Sequence, residues 1–311
     1  MKAAQIKEYG SVEKIEVVDI PVPMPGQGQV QVQVYAASLN PFDTSVREGQ
    51  ARQMAELTMP ATLGGDIAGI VTAIGEGVSA FKLGDKVYGQ SQALMGNSGA
   101  LAEYSVTGEG SLAAMPSNVT MNHAAALPLV GVSALQAISE HMDLSSGKKL
   151  FILGGSGGIG TAAIQIAKNL GVYVAATSKT ALVTYTTGFG ADELINSSEQ
   201  DYSALSDYDA ALCLIRGEEW DKILAVLKDG GVAVSLVGPV DQAVASAHNI
   251  TVYAQMTNTN TSWLDALREL VESGVVTPQV AHTYTLDQVQ DAFTKREAGG
   301  LPGKVVIEIK K

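Results

Sequence analysis

Lys149-Leu-Phe-Ile-Leu153 runs into Gly154-Gly155-Ser156-Gly157-Gly158-Ile159-Gly160, and that run into Thr161-Ala-Ala-Ile-Gln-Ile-Ala-Lys-Asn-Leu170. A short unbroken apolar stretch reads as a buried strand. The apolar residues of Gly160–Leu170 recur at helical spacing, and Gly171 ends the helix. Between them, Gly155, Gly157 and Gly160 fit G-x-G-x-x-G in the strand-turn-helix setting that gives this motif its meaning. One glycine permits a tight turn. A second lets backbone approach a pyrophosphate, and a third lets helix and strand pack closely. The N–H groups of Gly155, Ser156, Gly157, Gly158, Ile159 and Gly160 would then face an anion at the positive end of the helix. The bland alternative is a glycine-rich turn that holds nothing.

The same rhythm continues downstream. Val172–Thr177, Glu193–Ile195, Ala210–Leu214, Val232–Leu236 and Ile250–Tyr253 read as strands, with a helix over Glu218–Lys228. Alternating strands and helices predict a parallel sheet with right-handed crossovers. Upstream the character differs. Ala3–Ile6, Lys14–Asp19, Gln29–Ala36, Asp66–Gly75, Lys86–Gly89 and Leu101–Thr107 are short strands separated by turn signals, which suits an antiparallel barrel or sandwich. Near Asn118 the composition turns helical, through Thr120–Leu127 and Gly131–His141. After Thr261 come helices over Trp263–Glu272 and Leu286–Glu297. A last strand, Lys304–Ile309, has no parallel partner nearby in sequence and is expected to return to the first domain.

The end of Val172–Thr177 speaks to the nucleotide. An acidic residue there would bind ribose hydroxyls, but none occurs between Gly160 and Asp192. Ser178 and Lys179 offer a hydroxyl and a cation, which suits a 2′-phosphate. NADPH is therefore expected over NADH. The competing reading has Ser178 and Thr180 turn the chain beneath a solvated Lys179.

Composition narrows the classes further. The 311 residues carry a net charge of −12, which disfavours nucleic acid and anionic membrane surfaces as partners. No apolar run reaches the roughly 20 residues of a membrane span. Met1–Glu8 has no signal-peptide core, so a soluble cytoplasmic protein with a small-molecule substrate is expected. The one cysteine, Cys213, and four scattered histidines leave no metal-ligand cluster.

Several ordered stretches together resemble the medium-chain dehydrogenase/reductase superfamily, in its zinc-free NADPH:quinone oxidoreductase-like branch. They are Val34–Asp43, Pro60–Gly69, Gly84–Gly89, Ala126–Ala134, Gly154–Lys168, Gly190–Asp192 and Gly303–Val306. The resemblance covers essentially the whole chain. It implies a Rossmann doubly wound parallel sheet, residues 121–274, inserted into a GroES-like β-rich catalytic domain, residues 1–120 plus 275–311. It implies no zinc, because Asn40-Pro41 and Gly65-Asp66 stand where zinc-dependent relatives carry Cys-His and His-Glu. Gly89–Tyr104 also lacks the cysteines of their structural zinc lobe.

The resemblance further implies cofactor contacts from Asn40, Ser133, Val237, Gly238 and Lys304; an acceptor pocket that includes Asn40, Asp43 and Tyr88 is expected from the residues themselves. Asn40-Pro41 also reads as a helix N-cap with Pro at N1, and Asp43 and Arg47 as an ion pair one turn apart. Ser133 also reads as a helix cap before Ala134. The implied activity is hydride transfer to a quinone or similar conjugated carbonyl. An alkenal or enoyl (carbon–carbon double bond) reductase and a non-catalytic NADPH sensor are the alternatives. A homodimer or homotetramer is expected, with the edge Ile250–Met256 as contact.

Overall fold

The computed structural model describes residues 1–217 and 220–310. Clustering of contacts divides it into two units, one of Met1–Leu129, Thr259–Ser273 and Pro278–Lys311, the other of Val130–Asn258 and Gly274–Thr277.

The first unit opens with strands β1 (Lys2–Ile6), β2 (Glu16–Asp19) and β3 (Gln29–Ser38), then helix α1 (Pro41–Arg47). Strands β4 (Ala61–Thr62), β5 (Asp66–Ile74), β6 (Lys86–Gln90), β7 (Tyr104–Gly108) and β8 (Leu112–Ala114) follow, then α2 (Met121–Ala125). Alternation in Val30–Tyr35 buries Val30, Val32 and Val34 completely. They join Ile6, Ile67, Leu101, Phe293 and Ile307 in one core. The stretch between β6 and β7 is tied by hydroxyls. Ser105 Oγ lies 2.7 Å from both Ser91 Oγ and the Gly99 carbonyl, and Ser98 Oγ accepts the Val106 N–H at 2.6 Å.

Helix α3 (Pro128–Gln136) crosses the division at Leu129/Val130 and continues as a π-turn over Ala137–His141. The second unit then alternates as read: β9 (Lys149–Leu153), α4 (Gly158–Asn169), β10 (Tyr173–Ser178), α5 (Val183–Thr187), β11 (Glu193–Asn196), β12 (Tyr208–Cys213), α6 (Trp220–Leu224), β13 (Leu227–Ser235), α7 (Gln242–Ala247) and β14 (Thr251–Ala254). All six strands are parallel, in the order β11-β10-β9-β12-β13-β14. The helix expected from Glu218 begins outside the described residues. It also stops earlier than Lys228, because Leu227 already pairs with Tyr208 as strand.

The chain finishes in the first unit with α8 (Thr261–Glu272), β15 (Val280–Thr285), α9 (Val289–Glu297) and β16 (Lys304–Glu308). The last strand corrects one expectation. It has a parallel partner close in sequence, since β15 and β16 pair from Val280↔Lys304 to Thr285↔Glu308 across α9. Strand β15 escaped the reading because Val280-Ala-His-Thr-Tyr-Thr285 is half-exposed and weakly apolar. The other face of β16 pairs antiparallel with β3, Val306 opposite Ser38.

Candidate active site

In the second unit the strand order reverses between β9 and β12. Ligands of doubly wound sheets settle at that point, beyond the carboxyl ends of the strands. The glycine loop lies there. Gly155 has no room for a side chain, since a Cβ would stand 2.6 Å from that of Ala176 on β10. Gly160 has none either, with the Gly154 carbonyl oxygen 2.3 Å away. Gly157 differs. Its backbone is extended, φ −76° and ψ 167°, and its nearest neighbour would be the Gly154 carbonyl at 3.6 Å. Nothing inside the protein requires glycine at 157. It leaves an open, exposed place over the start of α4.

Helix α4 begins two residues earlier than read, so Gly158, Ile159 and Gly160 form its first turn, and Gly157 brings no capping side chain. These N–H groups are the unpaired donors of a helix start. A pyrophosphate fits this cradle in both shape and charge.

At the end of β10, Ser178 is buried, with its hydroxyl 3.1 Å from Thr186 Oγ1. That contact supports the turn-forming reading for Ser178. Lys179 is exposed at the next position, with no ion pair among the described residues. Val237 and Gly238 follow β13, where Ser235 Oγ donates to the Gly238 carbonyl at 2.6 Å. Ser133 is buried within α3, 2.6 Å from Thr257 Oγ1. The helix starts at Pro128, so Ser133 caps nothing and instead anchors the segment after β14.

The first unit holds a second constellation. Asn40 is the extended N-cap of α1 with Pro41 at N1. The Asp43 carboxylate accepts the Asn40 N–H at 2.7 Å as part of a capping box, and the Asn40 side chain also reaches partners beyond the helix. Its Nδ2 donates to Asp66 Oδ2 at 2.8 Å, and its Oδ1 accepts from Lys304 Nζ. Asp66 is fully buried and takes further donors from Ser38, Gln90 and the Leu129 N–H. Sequence signalled Asp66 only through its motif, and Gln90 not at all.

Burial pushes the Asp43 carboxyl up to about 7, outweighing the Asn40 N–H bond and the nearby Lys304 and Arg296 charges. Its Oδ1 has no hydrogen-bond partner. A raised native pKa means the fold binds a proton that the unfolded chain releases. Stability is therefore lost as pH rises from about 4 to about 7. Asp43→Asn keeps an acceptor for Asn40 and cannot ionise. Its melting temperature is expected to exceed wild type at pH 8 and to match it near pH 4.5; parallel curves would contradict the burial argument.

Two expectations change. Tyr88 is fully buried and its hydroxyl donates to the Leu264 carbonyl on α8, so it packs the unit rather than facing solvent. Arg47 does not pair with Asp43. It is 1% exposed, with Nη1 2.7 Å from Glu297, Nη2 2.6 Å from Glu48 and Nε 3.0 Å from the Gly10 carbonyl. Among the described residues, no group of three or more His, Cys, Asp or Glu side chains is placed to hold a metal ion, and no helix is long and apolar enough to cross a membrane.

Residues 26–117 match the alcohol dehydrogenase GroES-like domain, and residues 189–307 the zinc-binding dehydrogenase family. The chain is 34% identical to 2-methylene-furan-3-one reductase of Solanum lycopersicum over 99% of its own length and 79% of that protein. It is 33% identical to the chloroplastic NADPH-dependent alkenal/one oxidoreductase of Arabidopsis thaliana, with the same coverage. The quinone oxidoreductase of Coxiella burnetii superposes with a TM-score of 0.90 at 27% identity, covering 100% of this chain and 99% of that one. The chain belongs to the medium-chain dehydrogenase/reductase superfamily. Within it, the chain falls in the zinc-independent, quinone-oxidoreductase-like branch.

Proposed function

We propose that this protein is an NADPH-dependent oxidoreductase that reduces a small quinone or similar conjugated carbonyl acceptor without zinc. The observation that carries the reading is Gly157, a glycine that the fold does not need, open over a helix start at the reversal point of the sheet. NADPH supplies the hydride. The main-chain N–H groups of Ser156, Gly158, Ile159 and Gly160 hold its pyrophosphate, since those of Gly155 and Gly157 already pair with the Thr177 and Gly154 carbonyls, and Lys179 meets its 2′-phosphate. Ser133, Val237 and Gly238 shape the nicotinamide side. The absence of an acidic residue between Gly160 and Asp192 supports NADPH over NADH.

The names of the two plant relatives favour a second acceptor, the carbon–carbon double bond of an enal or enone. Following NADPH oxidation with 1,4-benzoquinone, a naphthoquinone, an α,β-unsaturated aldehyde and a simple ketone separates these readings by kcat/KM. Quinone or enal turnover with NADPH preferred over NADH is expected, and no turnover of the ketone. Tight NADPH binding without turnover of any acceptor would replace the enzyme by a sensor.

A homodimer is part of this reading. Strand β14 is the sheet edge, and Tyr253 on it and Met256 just after it are 40% and 73% exposed. Two such edges can pair and cover this apolar surface. Light scattering at a monomer's mass would remove the dimer.

A further inference from the structure

The two ends of the second unit's sheet treat their cations differently. Around the amino ends of the strands the lysines are paired. Lys148 and Lys228 both lie beside Asp209, and Lys168 Nζ is 2.6 Å from Asp192. Past the carboxyl ends, two cations stand within three residues of a strand, Lys179 after β10 and Arg216 after β12. Both are exposed, and neither has an ion pair among the described residues. Lys179 is already assigned to the 2′-phosphate in the proposed reading. Arg216 has no role in it.

The backbone carries Arg216 to the glycine loop. Cys213, the last residue of β12, pairs with Leu153 of β9. The chain then stays beside β9 for two residues more. The Leu214 N–H donates to the Leu153 carbonyl at 3.0 Å. Ile215 lies against Gly154, where a Cβ would stand 3.1 Å from Ile215 Cγ1. The Cys213 thiol donates to the Ile215 carbonyl at 3.5 Å and pins this extension. From the other side, β10 fixes the loop. The Gly154 N–H donates to Thr177 Oγ1 at 2.9 Å and the Gly155 N–H to the Thr177 carbonyl at 2.8 Å. Gly217, left-handed at φ +83°, ends the run. Arg216 is thus one residue beyond a contact with the loop, beside the reversal point of the sheet.

A cation at this place has a physical reason. The chain carries a net charge of −12, so it repels an anionic ligand unless positive charge is concentrated where the ligand lands. The N–H groups at the start of α4 satisfy only part of a pyrophosphate. A guanidinium offers five donors in a planar fork and binds phosphate oxygens in pairs. The fold itself makes no use of this side chain, which is exposed and bonds to no described residue.

We propose that Arg216 clamps the pyrophosphate of the dinucleotide, taking oxygens that the N–H groups of α4 leave free. The inference rests on the reading of the protein as an NADPH-dependent enzyme and lies wholly within the second unit. It divides the work between two cations. Arg216 supplies affinity for any dinucleotide, and Lys179 supplies the preference for a 2′-phosphate.

The test titrates wild type, Arg216→Gln, Arg216→Lys and Lys179→Gln with NADPH, NADH and ADP-ribose. Nucleotide fluorescence reads the first two ligands and calorimetry the third. ADP-ribose keeps the pyrophosphate but has neither nicotinamide nor 2′-phosphate. Arg216→Gln is expected to weaken all three by a common factor of about 10 to 100. Arg216→Lys keeps the charge without the fork and is expected to recover part of that loss. Lys179→Gln is expected to weaken NADPH by about 10-fold and to leave NADH and ADP-ribose within about twofold. Matching melting temperatures check that these exposed replacements leave the fold intact. A loss in Arg216→Gln confined to NADPH would move Arg216 to the 2′-phosphate and overturn the inference. Unchanged affinity for all three ligands would overturn it by leaving Arg216 a solvated surface residue. A wild type that binds neither NADPH nor NADH would instead overturn the cofactor reading, and this inference with it.

Discussion

Arg47→Ala is expected to lower the stability of the first unit by about 3 kcal/mol. The whole side chain is buried, so truncation leaves a hole beneath α1 as well as unmade bonds. Its guanidinium joins three chain segments, through Gly10, Glu48 on its own helix and Glu297 at the end of α9. It also lies 5.5 Å from the centre of the Phe293 ring. The two glutamates are partly exposed, at 35% and 30%, so water takes up part of their charge when the partner is removed. That places the estimate at the lower end for a broken buried pair. Arg47→Met refills the space and is expected to recover about 1 kcal/mol. Arg52→Ala is the control, since its pair with Glu56 is exposed and is worth under about 1 kcal/mol. Denaturant unfolding followed by far-ultraviolet circular dichroism ranks the three. Equal midpoints for Arg47→Ala and Arg52→Ala would show that the Arg47 network contributes nothing beyond a surface pair.

Gly157→Asp is expected to weaken NADPH binding by at least about 100-fold while leaving the fold intact. Its φ and ψ are ordinary for any residue, and a Cβ meets no atom closer than 3.6 Å. The carboxylate would occupy the space proposed for the pyrophosphate and repel it. Gly160→Ala should behave in the opposite way. Its Cβ would stand 2.3 Å from the Gly154 carbonyl and 2.7 Å from Gly155 Cα, so the loop must shift or unfold. Melting curves and nucleotide titrations on the two variants separate the glycine kept for a ligand from the glycine kept for packing. NADPH affinity unchanged in Gly157→Asp would mean that the pyrophosphate lies elsewhere.

The second unit was legible because its information is local. Lys149–Leu153, the glycine loop and α4 follow one another within about twenty residues, and each is marked by composition. The absence of acidic residues before Asp192 was equally open to reading. What escaped depends on distance along the chain. Asn40 was recognised as an N-cap beside Pro41, but its side-chain partners are Asp66 and Lys304, 26 and 264 residues away. The Asp43–Arg47 spacing invited a helical ion pair. Burial of both side chains and the arrival of Glu297 set a different partner. Tyr88 carries no local sign that it meets Leu264. Strand β15 lacked an apolar signature because pairing with β16, rather than immersion in the core, makes it a strand.

The position of β16 bears on how the polypeptide comes to be assembled. Residues 304–308 lie between β15 and β3 in the first unit's sheet, and they bring the cation that Asn40 and Asp66 await. The nucleotide-binding strands form an almost contiguous stretch and can organise as soon as they leave the ribosome. The older, N-terminal part must wait. Until the last strand emerges, β3 has an open edge and Asp66 is a buried anion without its counter-charge, so the segment made first is among the last to be completed.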